Sequence, residues 1–178
     1  MMYVLQKVGV VDLDMVIQSM IPSDWLKVSQ IYQEGINTGF ASFETTVPKY
    51  DQWDKSHIKS CRLVAENNTI LLGWAALSPV SSRCVYGGVA EVSVYISEKS
   101  RGKGVGKALM EELITESERK GYWTLQSGIF PENNASIELH KKVGFRFLGK
   151  REQIGKTKNG VWKDNLLFER RSKIVGIQ

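Results

Sequence analysis

The stretch SRGKGVGKAL, residues 100–109, is the first place in the sequence where residue types and spacing indicate chemistry. It lies between a strand-like run and an amphipathic run, so we expect a loop that leads directly into a helix. Glycines let the backbone approach a ligand closely, and a helix start offers unpaired N–H groups to a phosphate. A tight glycine turn that binds nothing also fits this stretch on its own. The candidate anion-binding residues are Arg101, Gly102, Lys103, Gly104, Val105, Gly106 and Lys107.

The spacing of the glycines excludes two other phosphate-binding motifs. A Walker loop needs a hydroxyl residue after Gly106 and Lys107, where this chain has Ala108, and an earlier glycine where it has Arg101. A dinucleotide fingerprint would place its third glycine at Lys107. The remaining pattern, R-x-x-G-x-G with Arg101, Gly104 and Gly106, favours a pyrophosphate site that needs no metal.

Glu91 is the second candidate for chemistry, because it interrupts the strand-like run VAEVSVYIS, residues 89–97. Alternation along a strand places it on one face with Ser93 and Tyr95, opposite three aliphatic side chains. A carboxylate in such a strand is costly to bury unless it is paired or solvated. Glu91 is therefore a candidate catalytic base, and a structural pair with an arginine or a tyrosine is the alternative that the residues alone leave open.

The hydrophobic pattern predicts the elements that must position these residues, in the order β-α-α-β-β-β-α-β-α-β-β. We expect a first strand near 15–20, a helix over 24–39, and strand and turn character over 38–48. Two later helices should end at glycines, and Asn133 should cap the second of them. This order indicates an α/β (α+β) fold with a mixed central β-sheet and helices on both faces.

The length of 178 residues indicates one domain with a sizeable core. We assign residues 1–14 to an N-terminal extension and residues 15–172 to the domain. Residues 173–178 are assigned to a short C-terminal tail, and the chain beyond Arg171 is expected to be frayed.

Composition excludes several classes of function. No apolar run approaches 18 residues, and the N-terminus lacks the features of a signal peptide, so we expect no membrane span. The net charge of +5 comes from scattered lysines and arginines rather than from a basic helix, so we expect no nucleic-acid binding. Two distant cysteines and only two histidines predict no metal site, and reduced thiols fit a cytoplasmic protein.

Five segments, in order, resemble the GCN5-related N-acetyltransferases (the GNAT family), in particular their phosphinothricin and amino-acid acetyltransferase branch. They are NTGFASFET, LVAE with LLGWAAL, EVSVYISEKSRGKGVGKAL, FPENNASIELHKKVGF and KNGVWKD, and the resemblance spans about residues 15–170. It implies the GNAT fold and acetyl-CoA as co-substrate. Residues 101–107 would then bind the pyrophosphate, and the backbone of Val94, Tyr95 and Ile96 would bind the pantetheine arm.

The resemblance also assigns catalytic roles. It implies that Glu91 is the base that takes the proton of the acceptor amine, and the N–H of Val94 is our candidate to polarise the thioester carbonyl. His140 occupies the position of a proton donor to the leaving thiolate, with a half-exposed helix histidine as the alternative. Asn133 would contact the cofactor arm in addition to capping its helix.

The acceptor site is implied by two further segments. Arg83, with Tyr86 nearby, would hold the carboxylate of an amino-acid acceptor, although a solvated loop arginine is the alternative. In the segment NTGFASFET, here called the front motif, two aromatic residues and an acid would form a wall of the acceptor pocket. Packing in an aromatic core is the alternative. These residues are Phe40, Phe43 and Glu44. Val89 departs from the threonine that is common in relatives.

The resulting hypothesis is an acetyl-CoA-dependent transferase for the α-amino group of a small amino acid or analogue, acting by direct transfer in a ternary complex. A small-molecule acceptor and a homodimer are the partners that the resemblance implies. The rival hypotheses are a transferase for polyamines, aminoglycosides or protein N-termini, and a CoA-binding module without turnover.

Overall fold

The computed structural model of the chain describes residues 15–157 and 159–177, together with the backbone of residues 4–5. The rest of the predicted N-terminal extension lies outside the described residues. The strands are β1 (Val4–Leu5), β2 (Val16–Ser19), β3 (Arg62–Asn67), β4 (Ile70–Pro79), β5 (Val89–Ile96), β6 (Thr124–Ile129), β7 (Arg146–Lys156) and β8 (Trp162–Arg171). The helices are α1 (Trp25–Asn37), α2 (Tyr50–Ser56), α3 (Val105–Arg119) and α4 (Asn134–Lys142).

The strands form one mixed sheet in the order β1-β2-β3-β4-β5-β6-β8-β7. All neighbours pair antiparallel except β5 and β6, which run parallel. The predicted order of elements is confirmed, with β1 as one additional short strand. The hairpin between β3 and β4 turns at Asn68, whose positive φ of 54° is one that asparagine tolerates well.

Two hydrophobic cores cover opposite faces of the sheet, because side chains alternate along each strand. On one face, α3 packs its buried stripe against residues such as Leu77 and Leu125. On the other face, α1 and α2 bury Val28 and Trp53 against Trp74. The prediction of helices on both faces is therefore confirmed.

Two predictions about irregular segments are wrong. The turns predicted over residues 38–48 are present, but the predicted strand is not, because this segment crosses from α1 to α2 and uses an aromatic ring to contact distant elements. The C-terminal segment is not frayed over its described length. The Arg171 guanidinium donates to the carbonyl oxygens of Trp123, Ser172 and Val175, and so ties this segment to the residue before β6.

Candidate active site

The glycine-rich loop joins the end of β5 to the start of α3. Gly102 and Gly104 have positive φ angles of 74° and 83°, which residues with a Cβ adopt only at a cost. Gly104 is the N-cap of α3, and none of the described side chains caps this helix. The N–H groups of the first turn therefore remain available to a ligand at the positive end of a 15-residue helix. This geometry supports the prediction of an anion site.

Some residues of the loop supply positive charge, and another allows two helices to pack closely. Three cationic side chains of the loop are exposed, namely those of Arg101, Lys103 and Lys107. The Nζ of Lys107 also lies 3.4 Å from the Oε1 of Glu111, one turn further along α3. Gly106 has a different reason to be glycine. A Cβ there would lie 3.2 Å from the Cδ2 of Leu139, so its absence lets α3 approach α4 closely.

Strand β5 separates from β6 soon after both begin. The two strands pair over only three residues each, 89–91 and 124–126, whereas β4 pairs with β5 from Ala90 to Ile96. Residues 92–96 therefore have no strand partner on the β6 side within the described part of the chain. Unpaired strand edges of this kind bind extended ligands as an additional strand.

Glu91 lies at the point where the two strands separate. Its carboxylate is partly exposed and accepts a hydrogen bond of 3.0 Å from the Nε2 of Gln126 on β6. The expected structural alternative, a pair with arginine or tyrosine, does not occur among the described residues. Gln126 was not among the predicted site residues, although the alternation of TLQSGI places it on the polar face of β6.

The Tyr95 side chain belongs to the core rather than to the site. Its ring stacks on Trp74 at 4.9 Å and packs against Tyr32 at 4.7 Å. Burial raises the pKa of its hydroxyl far above the usual value. Only the backbone of this residue is therefore left for a ligand.

Asn133 caps α4 as predicted, because its Oδ1 accepts the N–H of Ser136 at 3.1 Å. Its Nδ2 also donates to the carbonyl oxygen of Phe40 at 3.4 Å. Asn133 thus ties the start of α4 to the segment that was expected to wall the acceptor pocket.

His140 is buried, with 1% of its surface exposed, so the alternative of a half-exposed histidine is wrong. Its Nδ1 lies 2.8 Å from the carbonyl oxygen of Ser136, which can only accept, so Nδ1 carries the proton. Among the described residues Nε2 is buried without a partner, and burial lowers the pKa of the ring. A neutral ring in this tautomer has no proton to give from Nε2. The geometry therefore does not support His140 as the donor to a leaving thiolate.

The front motif that was expected to wall the acceptor pocket is partly packed and partly exposed. The ring of Phe43 packs edge-on against that of Phe130, directly after β6, at 4.5 Å. Phe40 is 40% exposed, and Glu44 is also exposed. Phe43 therefore packs in an aromatic pair, as the expected alternative has it, and its place in the wall of an acceptor pocket stays a prediction.

Arg83 is exposed before the short turn that leads to β5, and its guanidinium lies 5.6 Å from the ring of Tyr86. It forms no ion pair with any described carboxylate, so its charge is available to a ligand. Its contact with an acceptor beside Glu91 stays a prediction.

No group of three or more metal-ligating side chains occurs in the described residues. Over the same part of the chain, no helix is both long and apolar enough to cross a membrane.

Comparisons with known proteins agree with this geometry. The model of the family described as "Acetyltransferase (GNAT) family" matches residues 25–145. The chain is 33% identical over 149 residues to a phosphinothricin N-acetyltransferase from Alcaligenes faecalis, a match that covers 80% of this chain and 75% of that relative. It is 36% identical over 102 residues to an L-methionine sulfoximine/L-methionine sulfone acetyltransferase from Salmonella typhimurium. That second match covers 57% of this chain and 59% of the relative, which is less than two thirds of the relative's length.

Solved structures extend the similarity to the fold. A GNAT superfamily phosphinothricin acetyltransferase from Sinorhizobium meliloti, determined in complex with AcCoA, superposes with a TM-score of 0.81 at 26% identity. The superposition covers 92% of this chain and 91% of that structure.

Proposed function

The chain belongs to the acetyltransferase (GNAT) family, and from that premise we propose that it transfers an acetyl group from acetyl-CoA to the α-amino group of a small amino acid or analogue. The observation that carries this proposal is the position of Glu91. Its carboxylate lies where β5 leaves β6, at the start of the unpaired strand edge that leads to the glycine-rich loop. The similarity to phosphinothricin and methionine sulfoximine acetyltransferases supports the acceptor class.

The residues of the loop and of β5 fit acetyl-CoA. The uncapped N-terminus of α3 and the positive-φ glycines would hold the pyrophosphate, with Arg101 and Lys103 adding charge. The free edge of β5, including Val94, would hold the pantetheine arm. When bound, acetyl-CoA supplies the acetyl group as an activated thioester. We assign the N–H of Val94 to polarise the carbonyl of that thioester.

Glu91 takes a proton from the acceptor amine, directly or through a water molecule. A model α-amino group has a pKa of about 7.7–8.0, so roughly a tenth is already neutral at pH 7 and a modest base suffices. Gln126 orients the carboxylate through its hydrogen bond of 3.0 Å. The thiols of Cys61 and Cys84 lie outside β5 and the glycine-rich loop, and we propose direct transfer without an acyl-enzyme.

Two residues of the α4 region have supporting roles in this scheme. Asn133 holds the start of the helix and would contact the cofactor arm. We propose that His140 positions the helix by filling the core beneath it, since its proton is held by the carbonyl of Ser136. A thiol has an unperturbed pKa of about 8.5, so the thiolate can leave without a donor from this ring.

The acceptor carboxylate would bind the Arg83 guanidinium, whose exposed position beside Tyr86 suits a ligand that enters from solvent. Phe40 and Phe43 would close the pocket on the side of the segment after α1. A cation at Arg83 disfavours polyamines and aminoglycosides, which are themselves polycations. We also propose that the protein acts in the cytoplasm.

A homodimer is a further part of the proposal. Strand β7 forms one edge of the sheet, and several large apolar residues on and beside the β7–β8 hairpin are exposed. They are Phe147, Leu148, Ile154, Val161 and Trp162. Light scattering after size exclusion should give twice the chain mass of 20.1 kDa for the wild type, and a smaller value for Trp162→Glu. A wild type that elutes at the mass of one chain would contradict this part of the proposal.

The experiment that tests the function is release of CoA thiol from acetyl-CoA with a panel of acceptors. The panel contains phosphinothricin, methionine sulfoximine, methionine sulfone, ordinary L-amino acids, spermidine and an aminoglycoside. Turnover confined to the amino acids and their analogues is the expected result. Turnover confined to spermidine or the aminoglycoside would contradict the acceptor assignment. Binding of CoA without any turnover would instead favour a binding module.

A further inference from the structure

A half-buried arginine, Arg151, lies beyond the point where β5 and β6 separate, on the β6–β8 side. It is on the sheet face that carries Glu91. Arg151 on β7 donates from its Nη2 to the Oδ1 of Asn165 on β8, at 2.7 Å. Both side chains lie over Gly128 on β6. A Cβ at Gly128 would come within 2.6 Å of the Asn165 Nδ2 and 3.1 Å of the Arg151 Nη2. Glycine at this position is therefore what gives the pair its space.

The charge of Arg151 is not neutralised within the described part of the chain. Among those residues its Nε is buried without a hydrogen-bond partner, and none of their carboxylates lies within 4.0 Å of its nitrogens. Three other cations of the β7–β8 hairpin do have carboxylate partners, namely Lys150, Arg146 and Lys163. Even partial burial of a cation without a counter-charge is unfavourable, so this arrangement favours an external oxygen ligand.

Asn165 complements the arginine. It is 6% exposed, and its Oδ1 is used by Arg151, which leaves the Nδ2 amide to donate to a ligand. The guanidinium and the amide together present several N–H donors to the same space. Such a set suits a carboxylate, a phosphinate or a sulfonyl group.

The distance from Glu91 fits the length of an amino-acid side chain. Gly128 lies two residues beyond Gln126 on β6, and Gln126 is the neighbour of Glu91 across the pairing. With about 3.3 Å per residue along a strand and about 4.8 Å between strands, the Glu91 and Gly128 Cα atoms lie roughly 8 Å apart. A chain of five bonds from an amine nitrogen to a terminal oxygen spans about 6 Å, at roughly 1.2 Å per bond.

We infer that Arg151 and Asn165 form a second subsite of the acceptor pocket, which binds an oxygen-bearing group at the end of the acceptor side chain. This inference rests on the proposed function, because it takes the acceptor amine to lie beside Glu91. The acceptor is then held at three points: its amine at Glu91, its carboxylate at Arg83 and its side-chain oxygens at Arg151. An amino acid with an oxyanion or a sulfonyl group fits this subsite better than one with an aliphatic side chain.

The test compares two acceptors of similar length, methionine sulfone and norleucine, on the wild type, Arg151→Met and Arg146→Met. Arg146 is the matched control, because it is an arginine of the same strand with an exposed ion pair to Glu169, and its variant should behave as the wild type. Loss of a hydrogen bond to a charged group predicts that Arg151→Met lowers kcat/KM for methionine sulfone about 10- to 100-fold. The loss should appear in the acceptor KM, with the acetyl-CoA KM and the norleucine rate changed less than about threefold.

Equal losses for both acceptors would show that Arg151 only holds β7 to β8, and no loss would also overturn the inference. Thermal unfolding identifies any loss caused by misfolding. If Arg151→Met does not fold, Arg151→Lys replaces it. This variant keeps the charge but lacks the planar fork, and it should still weaken methionine sulfone more than norleucine.

Calorimetric binding of methionine sulfone to the CoA-loaded protein separates the subsite from turnover. If the wild type binds methionine sulfone without acetylating it, and Arg151→Met abolishes that binding, the subsite is retained and the proposed function is rejected. Absence of binding to the wild type would reject the subsite.

Discussion

Replacing Gly35 by alanine tests how α1 is seated on the strand that lines the candidate site. A Cβ on this glycine would lie 2.5 Å from the Cδ1 and 2.6 Å from the Cε1 of Tyr95. Carbon atoms in contact are normally about 3.5–4.0 Å apart, so the overlap is roughly 1 Å. The ring has little freedom to move away, because Tyr32 and Trp74 pack against it at 4.7 and 4.9 Å.

Two effects of opposite sign set the expected magnitude. Alanine in place of glycine favours a helix interior by about 1 kcal/mol, which would stabilise the protein. Overpacking of a filled core costs about 1–3 kcal/mol, which would destabilise it. Since the overlap is with a confined ring, we expect the second effect to win by about 1–2 kcal/mol. At about 2–4 °C per kcal/mol for a chain of this size, Gly35→Ala should lower Tm by several degrees.

The assay is urea unfolding of four proteins: the wild type, Gly35→Ala, Tyr95→Leu and the double variant. In the Tyr95→Leu background the ring is absent, so the alanine should become neutral or stabilising. The interaction free energy of the cycle should then be about 1 kcal/mol or more. A stabilising Gly35→Ala whose effect adds to that of Tyr95→Leu would refute the described contact between α1 and β5.

Three other predictions concern the site directly, and a fourth concerns the buried histidine of α4. Glu91→Gln should lower turnover by about 10²-fold or more at pH 7 and less at pH 9, where the amine is neutral by itself; an unchanged pH–rate profile would reject the base. Gly104→Val should weaken acetyl-CoA binding at least about tenfold, since φ there is 83°, with circular dichroism as the check on folding. Arg83→Ala should raise the acceptor KM about tenfold and leave that of acetyl-CoA unchanged, whereas equal effects would contradict the carboxylate clamp. Burial lowers the pKa of His140, so the unfolded state binds a proton more readily than the folded state. The free energy of unfolding should therefore fall as the pH drops below about 6.5, by up to about 1.4 kcal/mol per pH unit. In His140→Gln, the urea midpoint should depend less steeply on pH than in the wild type.

Much of the fold follows from local patterns in the sequence. The alternation along β5 and the helical spacing of α3 and α4 each specify an element and the face that it buries. The segment 38–48 was expected to be partly strand, but its residue Phe43 packs against Phe130 from a distant part of the chain, and no strand forms there. His140 was placed on the correct helix, but its burial depends on Phe145 and Phe168, which approach it from elsewhere in the fold.

The candidate site was only partly predictable for the same reason. Glu91 and the glycine-rich loop are local signals, and the chain shows them within about 20 residues of each other. The hydrogen bond from Gln126 and the pair formed by Arg151 and Asn165 depend on strand order, which a periodic pattern does not contain. These residues lie on one face of the sheet because β6 lies between β5 and β8 and because β7 follows β8 in the strand order.

The early separation of β5 from β6 also affects how the protein withstands unfolding and aggregation. Mechanically, the sheet consists of two smaller sheets, β1–β5 and β6–β8, joined by the three residue pairs of residues 89–91 and 124–126. The free edge of β5 lies within the sheet, but like an exposed outer edge it has unpaired backbone groups that can pair with another chain in aggregation. A ligand bound along it would protect that edge and would stabilise the fold by about 2.7 kcal/mol at a hundred times its Kd. The stability of the folded chain would thereby depend on the concentration of the cofactor. As that concentration rises, the amides of residues 92–96 should exchange their hydrogens more slowly.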